Sequence, residues 1–271
     1  MATKQPFPDG IPVEEYEVTV GGRMRVVELP QRYYDWSFTM AHFPAPTRRV
    51  RELLPDDRLV AVELVPGIAV VSLAAFEYRR MATLQPYNEV AVMVPVRYEP
   101  DRNIPLLPML WPDRFDVGFW VHHLPVTTQE ACDVGIGVWG LPKVVADDIT
   151  FRDVGWMRRC ELREDGEHVL TLSAMMGETR YEARPYYAFS VLDGELLKTL
   201  VDTRGQYYTW YVPGRASFSL GRHEVSEALR ELEVENLAIA GLFAFTAKSR
   251  LHPGTVVAAE VESPAVGSST P

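Results

Sequence analysis

The window Val134 to Ala146, VGIGVWGLPKVVA, spans thirteen residues and carries one charge, the ammonium of Lys143. Lysine is scarce in this chain: Lys4, Lys143, Lys198 and Lys248 are the only ones among 27 basic residues. Taking an ammonium out of water favours the neutral amine. A neutral amine can attack a ketone, and the resulting iminium is an electron sink for breaking a neighbouring carbon–carbon or carbon–hydrogen bond. The same residue can also serve packing alone, its carbon stem covering apolar surface while the head reaches water.

Other candidate chemistry is weaker. Gly135 to Gly140 matches the expression G-x-G-x-x-G, which marks a dinucleotide site only after a strand and at the opening of a helix. Here Thr127-Thr128-Gln129-Glu130 reads as a capping box opening a short helix before it, and Leu141-Pro142-Lys143 with the β-branched Val144-Val145 follows. No nicotinamide or flavin cofactor is expected. His122 and His123 could be imagined as metal ligands with Asp113, Asp116 or Glu130. Neighbours on a strand face opposite ways, so one core-facing and one exposed histidine, and no metal, are expected. There is no G-x-S-x-G elbow and no local Cys/His signature of a nucleophilic hydrolase. Cys132 and Cys160 read as two buried thiols. The acidic run from Glu224 to Glu235 reads as the wet side of a helix.

The elements that must hold these residues are mostly strands. Leu59–Leu64, Ile68–Phe76 and Val90–Val96 are rich in Val, Ile, Leu and Ala. Val144–Phe151, Arg158–Arg163, His168–Met175, Tyr186–Leu192, Leu196–Asp202 and Gln206–Val212 follow, with hairpin turns at Asp165-Gly166 and Asp193-Gly194. Short β-like runs at Tyr16–Val20 and Met24–Leu29 lie in a segment rich in Pro, Gly and Tyr. Thr47 to Pro55 predicts one short helix with Thr47 as its cap. His223 to Leu232 predicts another, with Val225, Ala228, Leu229 and Leu232 on one face, before β character resumes at Leu237–Ala247 and Thr255–Val261. The expected organisation is an N-terminal arm over 1–35 packed on the body, one domain over 36–262, and a loose tail over 263–271.

The chain has 271 residues, 47% hydrophobic and 24% charged, enough to bury a sizeable core. Its net charge of −10 repels phosphate backbones and anionic lipid, so neither nucleic acid nor a membrane is an expected partner. No apolar run approaches the length of a membrane helix and Met1 to Gly10 does not read as a signal peptide. The expected location is the cytoplasm.

Read together, Gly135 and Trp139-Gly140-Leu141-Pro142-Lys143 resemble the loop of the acetoacetate decarboxylase family, in which a glycine, three residues and Trp-Gly-aromatic-Pro precede the Schiff-base lysine. Tyr87-Asn88-Glu89 resembles the family's Tyr-x-Glu segment, and its glutamate maps onto Glu89. The similarity runs from the helix ending Leu53-Leu54-Pro55 to the strand after Leu251. It implies a mainly β (α+β) single domain, a cone-like antiparallel β-barrel with a few flanking helices. It further implies a homo-oligomer without metal or organic cofactor, Lys143 as the imine-forming nucleophile and Glu89 as the proton-handling group. Tyr87, Trp139 and Leu141 would line the substrate pocket. The sequence departs from the best-known members at Val144, where a second lysine stands, and at Ile136-Gly137, where an Arg-Glu pair stands; the arginine and second glutamate nearer their N-terminus find no match. The implied activity is decarboxylation of a β-keto or related oxo acid. Aldol condensation with dehydration of a 2-oxo acid and an aldehyde through the same lysine is the alternative. A non-catalytic small-molecule-binding protein on the same fold is the alternative of another class.

Overall fold

The computed structural model describes residues 12–100, 104–110 and 114–261. The expected 263–271 tail, the first eleven residues of the expected arm, and Asp113 lie outside the described residues. The chain opens with a hairpin, β1 (Glu14–Val20) and β2 (Arg23–Leu29), and continues into β3 (Gln31–Pro46), α1 (Thr47–Arg51), β4 (Leu59–Ala61), β5 (Glu63–Val65), β6 (Ile68–Met81) and β7 (Tyr87–Tyr98). There follow α2 (Leu107–Leu110), β8 (Gly118–Val126), α3 (Gln129–Trp139), β9 (Lys143–Val145), β10 (Asp148–Val154), β11 (Met157–Glu164) and β12 (Glu167–Met175). The remainder is β13 (Arg180–Ala183), β14 (Tyr186–Leu192), β15 (Glu195–Trp210), β16 (Ala216–Leu220), α4 (Glu224–Glu231) and β17 (Ala240–Ala258).

Strands β7, β6, β3, β17, β15, β14 and β8 follow one another in hydrogen-bonded order, and β7 pairs back onto β8, closing a seven-stranded barrel. Closure removes the open sheet edges that would otherwise invite pairing with other chains. A second sheet, β10-β11-β12-β16, packs on the outside. Strand alternation sorts the side chains into two cores. On β3, Trp36, Phe38 and Met40 point into the barrel, while Ala41, Phe43 and Ala45 join the layer between barrel and second sheet. On β7, Ala91 and Met93 point inward, and Val90, Val92, Val94 and Val96 outward.

The mainly β single domain agrees with the sequence reading, and several details correct it. The barrel is not wholly antiparallel, because β8 runs parallel to both β14 and β9. The runs Leu196–Asp202 and Gln206–Val212 form one bulged strand, β15, and Leu237–Ala247 with Thr255–Val261 fall mostly on another, β17. Val144–Phe151 is split between β9 and β10, which belong to different sheets. Strand β3 was not expected at all. Thr47 is the first helical residue of α1 rather than its cap, and its hydroxyl donates to the Glu63 carboxylate at 2.7 Å. The turns at Asp165-Gly166 and Asp193-Gly194 do form, with both residues of each pair at positive φ.

The glycine-bearing window is helical, not a loop. Thr128, not Thr127, caps α3, accepting from the Ala131 amide at 3.3 Å, while Glu130 accepts from the Gln85 amide instead of closing a capping box. The helix runs on through Trp139 because Gly140 ends it in the left-handed conformation. Only glycine fits there: a Cβ would lie 2.1 Å from the Val191 carbonyl oxygen. The β1–β2 hairpin lies on α3, where Gly137 is close to Val18 and Val20 and the buried Asp133 pairs with Arg23 and Arg25.

Both cysteines are buried free thiols. A bulge in the β7–β8 pairing falls at His122 and His123, so the expected exposed histidine is absent. His123 is buried against Glu164 at 3.3 Å, and His122 is half-buried. No helix among the described residues is long and apolar enough to cross a membrane.

Candidate active site

Lys143 is the first residue of β9, set immediately after the Leu141-Pro142 turn that follows α3. Its backbone is fixed by pairing with Leu124 on β8, and its carbonyl accepts from the Cys132 thiol. Glu89 lies on β7, paired with Val126 of the same β8. Parallel and antiparallel neighbours of β8 thus bring the two side chains together inside the barrel. Lys143 Nζ stands 2.8 Å from Glu89 Oε2, with the residues only 8% and 5% exposed. A buried ion pair of this kind is costly to assemble, and removing either partner strands the other.

Three tyrosines that the sequence reading did not name join the pair. The Tyr78 hydroxyl donates to Glu89 Oε1 at 3.4 Å, and Tyr78 faces Tyr87 across the β6–β7 ladder. The rings of Tyr33 and Tyr87 both pack against Tyr78, with centres 4.8 and 4.7 Å away. Lys143 Nζ lies 5.2 Å from the centre of the Tyr87 ring, a cation–π distance. Burial first, and in each case the nearby Glu89 carboxylate as well, push the phenols of Tyr33, Tyr78, Tyr87 and Tyr186 far above the usual tyrosine range. They are therefore neutral hydroxyls at physiological pH, able to donate to an anion.

These groups line an inner cavity of about 70 Å³, together with Leu141, Trp36, Phe76, Phe119 and Ser249. That is room for about five water-sized groups at 10–15 Å³ each, the size of a short oxo acid. Among the described residues, Lys143 is the only lysine or arginine on its wall. An outer cavity of about 510 Å³ adjoins it and shares Trp36, Phe76, Phe119 and Tyr186 with the inner one. His42 lines this outer space, bonded to Ser72 at 2.8 Å, and burial holds its imidazole down at about 4, so it is neutral.

Of the five residues singled out in the sequence, Lys143, Glu89, Tyr87 and Leu141 meet at the inner cavity. Trp139 does not reach it. Its side chain is 2% exposed at the end of α3, where the indole N–H donates to the His252 carbonyl at 2.8 Å and its own carbonyl accepts from Ser190. It anchors the turn leading to the lysine. Tyr78 lay just past the expected end of its strand at Phe76, and Tyr33 and Trp36 on a strand not expected, so period-two alternation had no frame on which to place them. Among the described residues no three His, Cys, Asp or Glu side chains converge as a metal site.

The family model of acetoacetate decarboxylase (ADC) matches residues 18–261. A crystal structure of acetoacetate decarboxylase from Legionella pneumophila subsp. pneumophila str. Philadelphia 1 superposes with a TM-score of 0.59 at 16% identity, covering 85% of this chain and 88% of that one. The enduracididine biosynthesis enzyme MppR complexed with pyruvate gives 0.59 at 14% identity, covering 85% and 91%. The same enzyme complexed with the condensation product of pyruvate and imidazole 4-carboxaldehyde gives 0.57 at 14%, covering 84% and 89%. No curated protein sequence matches the chain.

Proposed function

The chain belongs to the acetoacetate decarboxylase family, and on that premise we propose that it is a Schiff-base-forming lyase acting on a small keto or oxo acid, with Lys143 as nucleophile and Glu89 as proton carrier. The observation that carries this reading is the 2.8 Å approach of Lys143 Nζ to Glu89 Oε2 in the wall of the inner cavity. An ammonium has no lone pair to attack with. A carboxylate at hydrogen-bond distance takes its proton and leaves a neutral amine beside a neutral acid.

In the decarboxylase reading the amine nitrogen adds to the ketone carbon, one of its protons passes to the former carbonyl oxygen and Glu89 returns the second, so that water leaves and an iminium remains. The iminium then accepts the electron pair of the bond to the carboxyl carbon. Carbon dioxide leaves, an enamine forms, and its carbon takes a proton delivered from water through Glu89. Hydrolysis releases the ketone and the amine, the proton set free returning to Glu89. The phenols of Tyr33, Tyr78, Tyr87 and Tyr186 would hold the substrate carboxylate by donation, since no arginine lines the inner cavity.

The aldolase and dehydratase reading is favoured by the lack of a second cation on the inner wall among the described residues, and by the complexes of MppR with pyruvate and with the condensation product of pyruvate and imidazole 4-carboxaldehyde. Here Glu89 removes a proton from the methyl group of the imine, the enamine carbon attacks an aldehyde, and the alkoxide takes the proton back; Glu89 then takes a second proton from the same carbon and passes it to the departing hydroxyl, which leaves as water, and hydrolysis of the conjugated iminium frees the product and the lysine. Supplying acetoacetate and following carbon dioxide, and separately supplying pyruvate with benzaldehyde and following aldehyde loss, decides between them. Turnover in one of the two, abolished by Lys143→Arg, supports a lyase. No turnover in either, with intact ligand binding, favours a non-catalytic binding protein.

A further inference from the structure

The inner cavity is small, yet it adjoins a space several times larger whose walls carry many rings, with Arg114, Glu182 and Arg184 as the charged residues among them. A file of rings runs from the lysine outward. Tyr87 to Tyr78 is 4.7 Å between centres, Tyr78 to Phe76 is 5.8 Å and nearly parallel at 4°, Phe76 to Phe38 is 5.6 Å at 12°, and Phe38 to Tyr207 is 6.0 Å edge-on. Opposite it, Phe119 stacks on the neutral His42 at 6.5 Å and meets Tyr186 edge-on at 5.8 Å. Flat, rigid rings in offset and edge-to-face order favour another ring between them over a flexible chain.

We infer that the outer chamber is a binding site for an aromatic ring carried by the substrate, seated beyond Trp36, Phe76, Phe119 and Tyr186, while the reacting carbonyl and carboxylate occupy the inner cavity beside Lys143. The substrate class is then an aryl-bearing oxo acid, or an aryl aldehyde presented to an enamine on the lysine. Its orientation rests on the lysine chemistry proposed above; the ring site itself does not. The volume of about 510 Å³ lies within the usual range for a small-molecule site.

The test compares two acids that differ only in a ring, cinnamate and crotonate, neither of which has a ketone to form an imine. Calorimetric titration of the whole protein is expected to show cinnamate binding at least tenfold more tightly. Leu242→Trp, which fills the chamber from β17, should bring the two affinities within about threefold while leaving crotonate unchanged. Ala183→Trp, at an exposed position on the chamber wall, repeats the test on a site that perturbs folding less. Equal affinities in the wild type, or a tenfold gap surviving in whichever of these variants melts cooperatively, overturns the inference. Borohydride trapping with pyruvate in parallel separates the two readings. A persistent cinnamate preference without trapping removes the lysine chemistry and leaves the ring site standing; trapping without the preference does the reverse.

Discussion

Gly135 and Lys143 are in such close contact that a Cβ built on the glycine would lie 2.4 Å from the lysine Cδ and 2.6 Å from its Cε. The missing side chain in α3 is the groove in which the lysine stem lies. Burial of that stem and placement of Nζ beside Glu89 therefore both depend on a hydrogen atom at position 135.

Gly135→Ala is expected to push the lysine stem out of register with Glu89. Alanine favours the helix by about 1 kcal/mol over glycine, and overpacking costs about 1–3 kcal/mol, so stability should change little. Trapping of an imine and turnover should both fall at least tenfold. Single-turnover borohydride trapping beside a thermal melt reads the two effects separately; trapping at the wild-type rate would contradict the packing argument.

Glu89→Gln keeps a hydrogen-bonding side chain of the same shape but cannot carry a proton. Turnover is expected to drop by about 10² to 10⁴, with imine on Lys143 still detectable by mass. Wild-type turnover in this variant removes the proton-carrying role.

The pH dependence of stability has two predicted edges. The His42 imidazole is lowered to about 4 by burial, so between about 4 and its ordinary value of about 6.5 the unfolded chain binds more protons and folding weakens as pH falls through that window, by about 3 kcal/mol when complete. The phenols of Tyr33, Tyr78, Tyr87 and Tyr186 are raised, so above about pH 10 the unfolded chain loses protons first and stability falls as pH rises. Urea midpoints measured from pH 4 to 11 should show both edges. His122 is lowered to about 4 by burial as well, so His42→Gln should reduce the acid edge by about half, and Tyr186→Phe should lessen the alkaline one.

Removing both Arg23 and Arg25 leaves Asp133, 1% exposed on α3, with the Gln129 side-chain amide as a donor at 2.7 Å. A stranded buried carboxylate costs about 1–3 kcal/mol, and here it would loosen the β1–β2 hairpin from the helix that seats Lys143. Faster proteolysis within residues 12–29, with a lower melting temperature, is expected of Arg23→Ala with Arg25→Ala; unchanged cleavage and melting would show that the hairpin is held by Val18 and Val20 alone.

The lysine was legible because a lone charge among thirteen residues of apolar and small character is a local signal. Glu89 and Tyr87 were legible only through resemblance, since nothing in Tyr87-Asn88-Glu89 by itself tells which strand neighbours it meets. The mainly β content followed from Val and Ile runs, whereas closure of the barrel depends on β7 pairing with β8 and could not be read from periodicity. Strand β3 was hidden by Pro44 and Pro46, which count against a strand and are tolerated at its end. The helical course of Gly135 to Trp139 was hidden by its glycines, poor helix formers kept there because close approach to Lys143, and to Val18 and Val20, outweighs their propensity. Trp139 shows the limit of reading roles from a motif: its place beside the lysine in sequence serves the turn, not the cavity wall.

The most direct measurement is borohydride reduction of the protein in the presence of pyruvate and, separately, acetoacetate, followed by peptide mass mapping. A stable adduct on Lys143, absent from Lys198 and from the Lys143→Arg protein, is the predicted result. An intact, ligand-binding protein that gains no mass on Lys143 with either acid across pH 5 to 9 would contradict the imine on which this account is built.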